Sequence, residues 1–168
     1  DILVGNKLKK LVLREDTLLN FKEKEPKASL LNPFLLSCIL SLFGIFITYK
    51  DFKTNRRTKV LDFTLFFTTG IIGCILIFLW FFSSHSITPT NFNILWAFAL
   101  NIIISFFMLK THLPRWFQKY LIILILFLVV ISIIWLFSIQ VFPLPILPLM
   151  ILLFIRYLFL SKLLTSVK

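Results

Sequence analysis

His85, Asn91, Asn93 and Trp96 crowd into the stretch "SSHSITPTNFNILW", and Asn101 follows eight residues after Asn93. A metal centre here would need several convergent ligands, and the only other histidine, His112, lies in a different loop. A nucleophilic pair would need Cys38 beside His85 and a cation to hold the thiolate, and no such cation is evident in the sequence. No serine-hydrolase elbow, phosphate loop or paired carboxylate accompanies the stretch. Its residues therefore read in two ways. Asn91 or Asn93 can cap a helix, while Trp96, with Trp80, anchors it at a membrane–water boundary. Alternatively, His85, Asn91, Asn93, Trp96 and Asn101 form a polar rim that contacts a ligand. Asn101 favours the second reading: it lies about two turns deeper than Asn93 on the same helical face, and an amide in hydrocarbon must find a partner. No residue of the chain is assigned a catalytic role, and neither a metal nor a cofactor is expected.

Two more ionisable residues stand in otherwise apolar sequence: Asp62 opens the second apolar run, and Arg156 lies near the end of the fifth. At matching depth they are expected to form a structural ion pair. A proton or ion pathway would call for further such groups nearer the midplane. Cys38 and Cys74 both fall inside apolar runs and read as small packing residues, with neither disulfide nor metal-ligand spacing.

The elements that must position these residues follow from composition. With 59% hydrophobic and 15% charged residues, a mean hydropathy of +0.97 and 168 residues, the chain carries more apolar surface than a water-soluble domain of its size could hide. Apolar runs recur at about 29–49, 61–82, 94–109, 120–139 and 144–160. Each approaches the roughly 17–25 residues a helix needs to cross a bilayer. Runs such as "LIILILFLVVISIIWLF" lack the alternation of a membrane barrel. The expected fold is an all-α integral membrane domain of about five transmembrane helices over 30–168. Asn32 suits the N-cap of the first and Pro33 its first turn, while Gly44, Gly70 and Gly73 allow close helix approach.

The formal charge is +11, and its placement sets the expected orientation. Lys50, Lys53, Arg56, Arg57 and Lys59 separate the first two runs, and Lys110, Arg115 and Lys119 the third from the fourth. The loops 83–93 and 140–143 carry no Lys or Arg. The positive-inside rule places the basic loops and the C-terminus in the cytoplasm, with the N-terminus and the His85 loop outside. Charge split among short loops argues against a nucleic-acid partner. Residues 1–29 read as a linker closing a domain that lies upstream, so the chain is expected to be the C-terminal part of a longer protein.

The run "DFTLFFTTGIIGCILIFLWFFSSHSITPTNFNILWAFALNIIISFFML" resembles the membrane region of the Lnb family of bacterial lipoprotein N-acyltransferases. The shared pattern is an Asp opening a helix, a Gly-x-x-Gly stretch, and a His…Asn-x-Asn…Trp…Leu-Asn run. Here these are Asp62, Gly70, Gly73, His85, Asn91, Asn93, Leu95, Trp96, Leu100 and Asn101; Gln140, Pro143, Pro148 and "LLFIRYLF" with Arg156 continue it. "DILVGNKL" is similar to the end of the family's periplasmic domain. Ala99 departs, standing where the pattern has a proline that would kink the helix.

The resemblance implies acyl transfer from a phospholipid to the amino group of a lipoprotein, in the bacterial inner membrane. It implies a papain-like Cys and His in a periplasmic domain upstream of this chain. His85, Asn91, Asn93, Trp96 and Asn101 would then contact that domain, the lipid or the lipoprotein. A different class of reading is a non-catalytic membrane anchor or subunit of an envelope complex whose rim binds a partner protein.

Overall fold

Asn32 accepts a hydrogen bond from the Phe34 N–H at 2.9 Å, and Pro33 fills the first helical position, where its missing N–H costs nothing. Helix α1 (Pro33–Thr54) starts there and ends at Asn55, whose φ of 50° is the left-handed conformation that Asn tolerates at helix ends. The computed structural model describes residues 2–4, 7–9, 32–82 and 91–166. Most of the N-terminal linker and the loop holding His85 lie outside these residues. Within the linker, β1 (Ile2–Val4) and β2 (Lys7–Lys9) pair antiparallel with Leu3 opposite Leu8.

After α1 come α2 (Lys59–Phe82), α3 (Asn101–Met108), α4 (Trp116–Leu136) and α5 (Ile146–Ser166). Helices α1, α2, α4 and α5 are long and apolar enough to cross a membrane. Many of their large apolar side chains face outward, with Leu42 65%, Phe81 77% and Leu136 80% exposed, while Phe66, Leu121, Ile131 and Leu153 fill a core between α2, α4 and α5. The buried positions of α1 are small or polar instead: Ser41, Gly44, Thr48 and Asp51. So much exposed apolar surface is stable only where hydrocarbon is the solvent.

The third apolar segment corrects the expectation of one continuous helix over 94–109. It forms a 3-10 turn at Phe92–Leu95, an irregular stretch, and then the eight-residue α3. At 1.5 Å per residue, α3 covers only about 12 Å of a hydrocarbon core of about 30 Å. The segment nevertheless runs the length of the bundle. At its start Phe92 N–H donates to Gln140 beyond α4, and at its close Arg57 donates to the carbonyls of Met108 and Lys110. Irregular backbone at membrane depth requires burial in protein, and Ala97 has 0% exposure. Turn bonds such as Ala97 N to Asn93 O and Asn101 N to Phe98 O brace that stretch. The break therefore forms without the proline that the resemblance led one to expect at position 99.

Three helix pairs dominate the packing: α2 with α3, α1 with α5, and α4 with α5. Aromatic contacts join them, including Phe66 with Tyr157 at 5.5 Å and Phe98 with Phe127 at 5.2 Å. Helices α1 and α2 pack little against each other, and a lateral cleft lined by both opens between them. The bundle thus has a basic end, with the α1–α2 and α3–α4 connections, and a neutral end, with Asn91 and Gln140.

Candidate functional site

At the neutral end the 3-10 turn gathers four polar side chains. Asn91 caps the turn: its Oδ1 accepts from Asn93 N at 3.1 Å, from Asn93 Nδ2 at 2.7 Å and from Gln140 Nε2 at 3.4 Å. Asn93 Oδ1 in turn accepts from the Trp96 indole at 2.8 Å. Gln140 closes the ring by accepting from Phe92 N–H at 2.9 Å. The turn is thereby fastened to the connection between α4 and α5. Asn91 and Asn93 remain partly exposed while Trp96 is buried, so the network presents amides outward and sets the indole inward as its floor.

His85 lies outside the described residues. Asn101 is not part of this network. No continuous α-helix joins Asn93 to Asn101, so the eight-residue spacing does not put the two on one face. Asn101 is buried in the interior, where it donates to Thr69 Oγ1 at 3.0 Å and accepts from the Tyr120 hydroxyl at 2.5 Å. It ties the start of α3 to both α2 and α4. Replacing it with Leu leaves two hydroxyls without that partner and should cost about 1–3 kcal/mol. A thermal melt in detergent measures this, and an unchanged midpoint would mean that the hydroxyls find other partners.

A second constellation sits at the basic end. Arg156 is fully buried, with its Nε 2.6 Å from Asp62 and its Nη1 2.8 Å from Asp51. It also donates to Thr48 Oγ1 at 3.2 Å and the Thr58 carbonyl at 3.4 Å. Asp62 takes a second guanidinium, Arg57, at 3.2 Å. Asp51 accepts from the Thr58 N–H and hydroxyl, both at 2.7 Å. Two carboxylates and two guanidiniums balance in charge, and each has several donors or acceptors, which is what a buried ionic group requires.

Sequence reasoning named Asp62 and Arg156 but missed Asp51, Arg57 and Thr48. Asp51 is flanked by lysines and looks like a loop residue, yet Ser41, Gly44, Thr48 and Asp51 recur at helical spacing and mark one face. Gln140 entered only through the family pattern. Among the described residues no group of three or more His, Cys, Asp or Glu could hold a metal. Cys38 is half-buried and Cys74 is exposed, and both are free.

The neutral-end ring is a built feature that can hydrogen-bond a carbonyl or headgroup, but it holds no nucleophile. The model of the Lnb transmembrane domain matches residues 24–168 of the chain. No curated protein and no solved structure matches it. With nearly all of its membrane-embedded length covered by that match, this multi-pass chain belongs to the Lnb transmembrane domain family.

Proposed function

We propose that the chain is the membrane domain of a lipoprotein N-acyltransferase-like protein of the bacterial inner membrane. In this reading it anchors a periplasmic catalytic domain and presents phospholipid and lipoprotein to it at the neutral end. The observation that carries the proposal is the Asn91–Asn93–Trp96–Gln140 ring, built into the bundle end opposite the basic loops. The positive-inside rule turns that end toward the periplasm, where His85 of the adjoining loop would join it. The N-terminus is then periplasmic and the C-terminus cytoplasmic. The reacting Cys and His belong to the upstream domain, so His85, Asn91, Asn93 and Trp96 act by positioning.

The test uses the full-length protein as the sole source of N-acylation in cells, with the acylation state of a lipoprotein read by mass spectrometry. His85→Ala and Asn93→Ala should each lower N-acylation by about tenfold, since misplacing a reacting group costs at least that, while the protein stays inserted and abundant. Full activity in both would end the positioning role of the rim, and no N-acylation from the unaltered protein would leave the second reading, a non-catalytic anchor or subunit of an envelope complex. The amides' hydrogen bonds to one another favour that reading to the extent that the ring already satisfies itself.

A further inference from the structure

The cleft between α1 and α2 has a volume of about 580 Å³. Leu36, Leu40, Phe43 and Ile47 form one wall, and Val60, Leu61, Thr64 and Thr68 the other. Leu149 and Leu152 of α5 form the back, with Trp96 beside them. Several of the hydroxyls among the lining residues are turned onto backbone: Ser37 donates to the Pro145 carbonyl, Thr68 to Thr64 and Thr69 to Leu65. The walls therefore present methyls and methylenes. At the basic end the cleft is shut, because Asp51 of α1 holds the Thr58 N–H and hydroxyl just before α2. Exposed Leu40, Phe43, Val60, Thr64 and Thr68 flank its lateral opening.

The dimensions choose the occupant. Along α1 the lining runs from Pro33 to Ile47, about 21 Å at 1.5 Å per residue, against a leaflet depth of about 15 Å. A slot of that length, open to the side and walled by methyls and methylenes, matches an extended chain lying along one leaflet. A single flexible hydrocarbon chain needs no hydrogen-bond partners and fits. Trp96 joins this slot to the polar ring, since its indole N–H is held by Asn93 while the residue lines the cleft. One amphiphile can thus place its polar part at the ring and its tail in the slot.

We propose that the α1–α2 cleft binds one acyl chain of a membrane phospholipid, running from the ring at the neutral end toward Val60. The assignment rests on the proposed function only for the chain's later transfer, not for its binding. Two substitutions fill the slot from exposed positions without removing a core side chain, Thr64→Phe and Thr68→Phe. Val130→Phe, on a lipid-facing position of α4, adds the same bulk elsewhere.

The experiment places the full-length protein in nanodiscs containing a phospholipid with a mid-chain diazirine, and maps adducts by mass spectrometry after irradiation. Adducts should concentrate on Leu40, Phe43 and Val60. They should fall on the order of tenfold in Thr64→Phe/Thr68→Phe, because a filled slot cannot take further volume without displacement, and stay unchanged in Val130→Phe. Labelling spread evenly over exposed residues such as Ile123 and Val130, or an empty cleft covered by a co-purifying protein, overturns the proposal. The same variants assayed for N-acylation separate the two readings. Cleft adducts that vanish without loss of N-acylation uphold the chain site and count against its role in transfer. Loss of N-acylation in His85→Ala with no cleft adducts does the reverse.

Discussion

Arg156→Met is expected to lower the unfolding midpoint of the purified protein by roughly 10 °C, from a loss of about 3–5 kcal/mol. Arg156 is the only described side chain that pairs with both Asp51 of α1 and Asp62 of α2, and it reaches them from α5. Without it, Asp62 keeps Arg57 and Asp51 keeps only the two Thr58 donors. Two buried carboxylates would then face one guanidinium. Since α1 packs mainly on α5, its attachment should weaken first. Arg156→Lys should fall between wild type and Met, because an ammonium lacks the fork that serves two carboxylates at once. The discriminating variant is the triple change Asp51→Asn, Asp62→Asn, Arg156→Met, which removes the charges together. It should recover most of the lost stability, since buried ion pairs contribute little net energy while stranded charges cost much. A triple variant as unstable as Arg156→Met alone would mean that shape, not charge, holds the cluster.

How much of this was legible beforehand depended on which physical signal each element carries. The long helices announce themselves because a bilayer demands about twenty apolar residues in a row. Their ends are less exact: α1 continues past Tyr49 through Lys50 and Lys53 to Thr54, because long cationic side chains keep their heads in water while their stems stay on the helix. The NH3 groups of Lys50 and Lys53 rest over the rings of Phe46 and Tyr49 at 5.1 and 4.7 Å, which marks the same behaviour. The broken third segment was not legible from hydropathy, which sees only that "ILWAFALNIIISFFML" is apolar. Its backbone lies directly against Gly70 and Gly73 of α2, a tertiary contact that hydropathy does not register. Asn101 illustrates the same limit: periodicity presumes a continuous helix, and the inference from Asn93 fails where the helix does. Asp62 and Arg156 stood out as charges in apolar runs, whereas Asp51 was camouflaged by neighbouring lysines. The polar ring was half visible, because Asn91, Asn93 and Trp96 are adjacent in sequence while Gln140 arrives from about fifty residues away.

Gly70→Ala and Gly73→Ala should each push the third segment off α2, with a cost of about 1–3 kcal/mol or more apiece, whereas Gly44→Ala should be milder. A Cβ on Gly70 would sit 2.1 Å from the Ile102 nitrogen and 2.6 Å from its Cα. On Gly73 it would sit 2.1 Å from the Ala97 carbonyl oxygen and 2.6 Å from the Ala99 nitrogen. These are backbone atoms, held by the turns of the broken segment, and they cannot move without moving that segment. At Gly44 the nearest atoms are the ends of the Leu152 side chain at 2.8 Å, which a rotamer change can relocate. Volume alone would make the three substitutions equal, so their ranking reports what each glycine faces. The seam matters beyond stability. Gly73 lies against the irregular stretch from Ala97 to Ala99, directly after Trp96, so a displaced segment should drag the indole from Asn93 and unseat the ring. Tryptophan emission and the melting midpoint, measured together in Gly73→Ala, should therefore both change, while Gly44→Ala should leave the emission near wild type. Equal destabilisation by all three alanines would show that the break in the third segment does not depend on its fit against α2.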